Sequence, residues 1–223
     1  MILNALTSGD WEAFLISLLL ALPVVLISLP VHETAHGYAA YKLGDPTAKN
    51  LGRLTLNPVK HLDPIGFLCM LFFGFGWANP VPINTRYFKK PKRDMALCAL
   101  AGPVSNLLLA ILFALLLRVA FFIPGASLSF FMEDGFGYWL CQFFLVAMQL
   151  NVTLAVFNLL PIPPLDGSRL FLTFLPTNLY FKVMRYERVI SLVLMLALFV
   201  GLLDTPIRFV SNLFINLIWY FIF

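Results

Sequence analysis

Residues 32 to 36 read HETAH, two histidines four apart with a glutamate beside the first. On an α-helix, residues at i and i+4 project about 40° apart and one turn apart, so two imidazoles can grip one tetrahedral ion. Glu33 falls next to that pair. A carboxylate there can take a proton from water activated by the ion, which is the arrangement of H-E-x-x-H zinc hydrolases. Three fixed letters are moderate evidence alone, but the setting strengthens them. Histidine and glutamate deep in an apolar segment are costly unless paired or liganded.

A metal site needs a rigid element beneath it, and the residues before HETAH supply one. Residues 11 to 31 are apolar apart from Glu12 and make about 31 Å of helix, enough to cross the hydrocarbon of a bilayer. Further apolar runs cover 95 to 117 and 138 to 160, closed by Arg118 and by Pro161, Pro163 and Pro164. Two more follow at 189 to 203 and 207 to 223. The run from Ile65 to Trp77 is too short for an ordinary span and carries three glycines, which suits a re-entrant helix. The expected fold is an all-α polytopic membrane protein with about six membrane-embedded helices. It reads as one integral-membrane domain over 1–223, with a catalytic core at about 11–175 and C-terminal helices at about 178–223.

Composition agrees. The chain is 61% hydrophobic and 12% charged, with a mean hydropathy of +0.89, whereas soluble domains carry about 25% charged residues. Its basic balance, 15 Lys and Arg against 11 Asp and Glu, does not indicate nucleic acid, because the cations cluster beside apolar spans. Nine of the 15 lie between Lys42 and Arg93, so that segment is expected on the cytoplasmic side. Cys69, Cys98 and Cys141 form no C-x-x-C pair and sit in or beside apolar runs, where a buried thiol is the default. The N-terminus has no basic region or small-residue cleavage site, so 11 to 31 is expected to remain a span.

With spans one and three both running inward, HETAH shares its depth with the end of the third. There the chain reads NLLPIPPLDG at 158 to 167. The prolines forbid a regular helix and free backbone groups that need protein or water partners. Asp166 beside that break is a candidate third ligand, and equally a turn or cap residue, since Asp-Gly is a common turn. Two histidines and one carboxylate would leave a fourth zinc position open, as hydrolytic sites do. Around the cleft, Asn79, Pro80 and Asn106 are candidate substrate-binding residues, because polar groups in apolar surroundings need partners. Gly102 and Asn106 are also at a spacing that packs helices. His61 is a further cleft candidate whose plainer reading is packing or hydrogen bonding near the site. The polar stretch 44–60 is a candidate membrane-associated β-element that pairs with substrate backbone, or a plain loop.

Taken together, HETAH in a first span, Asn158, Pro161 and the Leu165-Asp166-Gly167 triplet resemble the site-2 protease family of intramembrane zinc metalloproteases, peptidase family M50. GRLTLNPVKHLDPIG at 52 to 66, WANPVPIN at 77 to 84 and LAGPVSN at 100 to 106 extend the resemblance, toward the small prokaryotic branch, over about residues 24 to 175. The resemblance implies one Zn2+ per chain on His32, His36 and Asp166. It also implies Glu33 as the catalytic acid and base, and Asn158 as a residue that orients substrate or the oxyanion. No stretch long or polar enough for a PDZ module interrupts the chain.

The function so implied is hydrolysis of peptide bonds in or near transmembrane segments of membrane proteins, in a prokaryotic cytoplasmic membrane and near its inner face. The expected partners are transmembrane substrates and the lipid bilayer, with no nucleic acid. Two other classes use the same residues: a metal or proton transporter, in which they would be relay groups, and a catalytically inactive membrane scaffold. No inverted repeat supports transport.

Overall fold

In the computed structural model, which describes residues 9–73, 76–122 and 135–223, the first span does not stop at HETAH. Helix α1 covers Trp11–Lys42. Asp10 caps its start by accepting the Ala13 amide at 3.0 Å, and the helix runs on through Pro23 and Pro30. Nothing between Val31 and Lys42 breaks it, so the metal-binding pattern lies on continuous helix. It ends at Leu43, before Gly44, which takes a φ of +107°.

After the single turn α2 (Thr47–Asn50) come a 3-10 turn at Pro58–Lys60 and helix α3 (Pro64–Phe73). Helix α3 is ten residues, about 15 Å, too short to cross a bilayer. The chain returns beside its own start: Leu62 bridges Ala78, and the Asn79 amide donates to His61 O at 2.8 Å. The expected β-element at 44–60 is not there. Asp45 turns the chain by accepting the Thr47 amide, Asn57 does the same for Val59, and the residues between the two turns form α2 and its exit. Among the described residues there is no strand.

Helices α4 (Pro91–Phe121) and α5 (Phe136–Asn158) complete the main bundle with α1. Fully buried Val24, Ala110, Ala114, Ala147, Met148 and Val152 form its centre. The three alanines among them let the backbones approach, as helix contacts in lipid require. The opposite faces carry exposed Leu15 and Leu19 on α1 and Leu108, Leu112 and Leu115 on α4. Only 28–33% of the most apolar stretch of each of these three helices is buried. Water would not tolerate that much exposed hydrocarbon, whereas lipid does. The chain is an integral membrane protein.

The remaining elements are α6 (Asp166–Leu172), α7 (Thr177–Arg185), α8 (Glu187–Phe199) and α9 (Asp204–Ile222). Of the six membrane-embedded helices expected, three or four are supported as spans. Three described helices, α1, α4 and α5, are long and apolar enough to cross. Helices α8 and α9 qualify only as a pair, bent by 82° at a short break, and so give a fourth span or a re-entrant loop. The apolar runs looked like two spans because hydropathy does not report where a helix turns.

Candidate metal centre

Three ligand atoms from distant parts of the chain converge. His32 Nε2 lies 3.0 Å from His36 Nε2, and each lies 3.1 Å from Asp166 Oδ2. Both histidines come from one face of α1. Their rings are edge to face, 87° apart with centroids at 4.6 Å, which lets both Nε2 atoms point at one spot. Gly102 on α4 makes room. A Cβ there would lie 2.5 Å from His36 Cε1 and 2.6 Å from His32 Cε1. His36 Nδ1–H donates to Cys98 O at 2.7 Å. That bond assigns the proton to Nδ1 and leaves the Nε2 lone pair for a metal.

Asp166 arrives by a different route. Helix α5 ends at Asn158, the Pro161 to Pro164 segment turns the chain, and Asp166 is the first residue of α6. This tight return depends on Gly167, where a Cβ would run into Leu159 O and lie 2.6 Å from Leu160 O. Burial by itself would raise the Asp166 carboxyl. The two imidazoles beside it act the other way, outweigh it and hold the group below the usual carboxylate range. It is therefore ionised, as a ligand must be.

The donor set fits a zinc ion. Edges of 3.0–3.1 Å are slightly shorter than the roughly 3.3 Å between ligands about 2.0–2.1 Å from a tetrahedral zinc. Three protein ligands leave one position for chemistry. Glu33 is buried next to the triad, and its Oε2 accepts the Val81 amide at 2.9 Å. That contact fastens the WANPVPIN segment over the site. Arg53 supports it from outside by donating to Asn79 O at 2.7 Å.

A cavity of about 350 Å³ opens onto the triad, walled in part by Glu33, Pro80, Asn158 and Asp166. Of the residues expected at the cleft, these are there. Asn158 Nδ2 also donates back to Leu154 O at 3.0 Å. Asn79 is exposed beside the cavity and does not line it, and Asn106 is buried one turn beyond Gly102. His61 is fully buried and donates Nε2–H to Thr55 O at 2.8 Å, a carbonyl that also accepts Thr34 Oγ1 at 2.7 Å. It braces the loop against α1, the plainer of its two readings.

Arg169 also lines the cavity, a residue that the sequence analysis did not single out. A signal existed: it stands three residues after Asp166, hence on the same face of any helix begun there. Among the described residues no carboxylate pairs with it. The backbone of Val81 was likewise invisible, because an amide leaves no mark in a sequence.

No solved structure matches the chain. The family model described as Peptidase family M50 matches residues 133–202, which contain the NLLPIPPLDG turn and Asp166. The chain is 47% identical over 165 residues to the Bacillus subtilis protein named "Putative zinc metalloprotease YwhC", covering 73% of this chain and 72% of that one. It is 36% identical over 148 residues to the Mycolicibacterium smegmatis protein named "Putative zinc metalloprotease Rip2", covering 64% of this chain and 52% of that protein. With nearly half its residues shared with the Bacillus relative over most of both chains, the protein belongs to peptidase family M50, the site-2 protease family.

Proposed function

We propose that this protein is a zinc metalloprotease that cuts peptide bonds in or near transmembrane segments of other membrane proteins. One observation carries the reading: His32, His36 and Asp166 bring three ligand atoms within 4.8 Å of one another, with Glu33 beside them and both histidines on a mostly apolar helix. His32, His36 and Asp166 would hold the ion. Zinc there supplies Lewis acidity, lowering the pKa of water and polarising a peptide carbonyl.

The chain's own residues do the rest. Glu33 has one oxygen occupied by the Val81 amide, so its other oxygen takes the proton from the attacking water and delivers it to the leaving amine. Asn158 and Arg169, both on the cavity wall, orient the substrate carbonyl as it gains negative charge. A transmembrane helix keeps its carbonyls in its own hydrogen bonds, so the substrate is unwound locally before it is cut.

The cleft belongs at the cytoplasmic face of a prokaryotic cytoplasmic membrane. HETAH lies toward the end of α1 that leads into the segment with nine of the 15 Lys and Arg residues, and such segments stay inside. Single-span membrane proteins are the substrates that fit this address.

The test is proteolysis of a single-span membrane protein by the purified, zinc-loaded protein in liposomes, alongside Glu33→Gln. Glu33→Gln should keep its zinc and lose activity by about 10²–10⁴-fold, and a chelator should stop the wild type. Equal cleavage by both proteins would refute the role of Glu33. A wild type that binds zinc and cuts none of a panel of such substrates would favour a scaffold.

A further inference from the structure

Helices α1 and α4 meet in a register set by two contacts. His36 Nδ1–H donates to Cys98 O at 2.7 Å, and one turn further His32 packs on Gly102, where a Cβ would lie 2.6 Å from its Cε1. His36 to His32 moves four residues back along α1, while Cys98 to Gly102 moves four forward along α4, so the helices are antiparallel here. The next step brings Ser28 to the level of Asn106. The step after that brings Val24 to Ala110, and these two belong to one packed cluster, which supports the register.

Ser28 and Asn106 are buried, 0% and 1% exposed. Three buried polar atoms along this short stretch have no hydrogen-bond partner: Ser28 Oγ, His32 Nδ1 and Asn106 Oδ1. Side chains on a helix lean toward its N-terminus. His32 therefore leans toward Ser28, and Asn106, on the antiparallel helix, leans back toward Gly102 and His32. Both leanings carry these atoms toward one level of the α1–α4 contact, and neither Ser28 nor Asn106 lines the cavity. His36 shows what is missing for His32, since its own Nδ1 proton already has the Cys98 carbonyl.

An imidazole that gives Nε2 to a metal carries its proton on Nδ1, and that proton needs an acceptor that fixes the ring's tautomer and aim. We propose that Asn106 is the positioning residue for His32, its Oδ1 holding the His32 Nδ1 proton through one buried water shared with Ser28 Oγ. The proposal rests on the zinc reading above. It gives the asparagine of LAGPVSN a task outside the substrate cleft, and it explains why an amide sits buried inside a helix contact.

The experiment measures zinc affinity of the full-length protein in detergent, by chelator competition, for the wild type, Asn106→Leu and Asn106→Asp. Asn106→Leu keeps the number and branching of the side-chain heavy atoms and removes the acceptor, and should weaken zinc binding about 10- to 100-fold. Asn106→Asp restores an acceptor and should stay within about threefold of the wild type. Wild-type affinity in Asn106→Leu, or equal weakening in both variants, would overturn the proposal. The second pattern is that of a packing residue, which a buried carboxylate disturbs as much as leucine does. If the wild type binds no zinc, the zinc reading fails and takes this one with it. Should Asn106→Leu not fold, nitrogen-labelled histidine NMR of the zinc-loaded wild type decides. A His32 Nδ1 proton in slow exchange supports the proposal, and an Nδ1 that is unprotonated or in fast exchange overturns it.

Discussion

Gly102→Ala sets two physical expectations against each other. In the middle of a helix, replacing glycine by alanine is favourable by about 1 kcal/mol, because glycine loses more backbone entropy on folding. At this position the added carbon would stand 2.5 Å from His36 Cε1 and 2.6 Å from His32 Cε1, whereas carbon atoms in contact sit about 3.5–4.0 Å apart. The rings must retreat by about 1 Å. His36 cannot do so without stretching its 2.7 Å bond to Cys98 O, and metal ligands tolerate errors of only about 0.2 Å. Crowding costs about 1–3 kcal/mol against the helix gain, so the metal-free protein should lose no more than about 2 kcal/mol. Activity should fall about 100-fold or more, the effect of a 1 Å misplacement at a reacting centre, and zinc affinity should fall with it. Thermal unfolding of the metal-free protein, chelator competition and cleavage of a reconstituted substrate measure the three quantities. A Gly102→Ala protein that binds zinc within about threefold of the wild type and cleaves at the wild-type rate would show that the imidazoles do not rest on Gly102.

Gly167→Ala directs its Cβ at the backbone carbonyls of Leu159 and Leu160, which have no flexible end to move. It should destabilise the protein by about 1–3 kcal/mol and also weaken zinc binding, because Asp166 is the adjacent residue. Arg169→Met removes the cavity's cation while leaving the ligands in place; kcat/KM should drop about 10- to 100-fold, the worth of one hydrogen bond to a charged group, with zinc content unchanged. Unaltered kcat/KM would place Arg169 outside substrate recognition. In a cysteine-free background, a cysteine at exposed Asn79 should react with a membrane-impermeant thiol reagent from the cytoplasmic side alone. Labelling from the outer side would invert the topology.

Much of the site was legible because its chemistry is local. His32, Glu33 and His36 are close in sequence, so helical geometry alone brings them together, and charged or metal-binding side chains are conspicuous in an apolar run. Asp166 was legible as a polar residue at a proline-forced break, yet its role as a third ligand depended on a resemblance. No local rule joins positions 134 residues apart. The number of spans was less legible. Hydropathy marks runs that avoid water, and it treats the 82° bend between α8 and α9 like a crossing. The expected strand at 44–60 failed for a local reason that was itself in the sequence: Asp45 and Asn57 are turn formers, and both cap turns.

The division follows from what a linear pattern can encode. By itself the sequence determined that the protein belongs in lipid, that α1 carries a two-histidine pair with a carboxylate beside it, and that the chain breaks before Asp166. These are consequences of composition, of 3.6-residue periodicity and of proline's missing amide. Only the tertiary structure decided that Asp166 Oδ2 meets both Nε2 atoms, that Gly102 is the floor under the imidazoles, and that the Val81 amide holds Glu33. It also decided that Arg169 faces the site and that His32 and Asn106 both hold unpartnered atoms in one contact. Each of those depends on how helices far apart in sequence are brought face to face, which is settled by packing across the whole bundle.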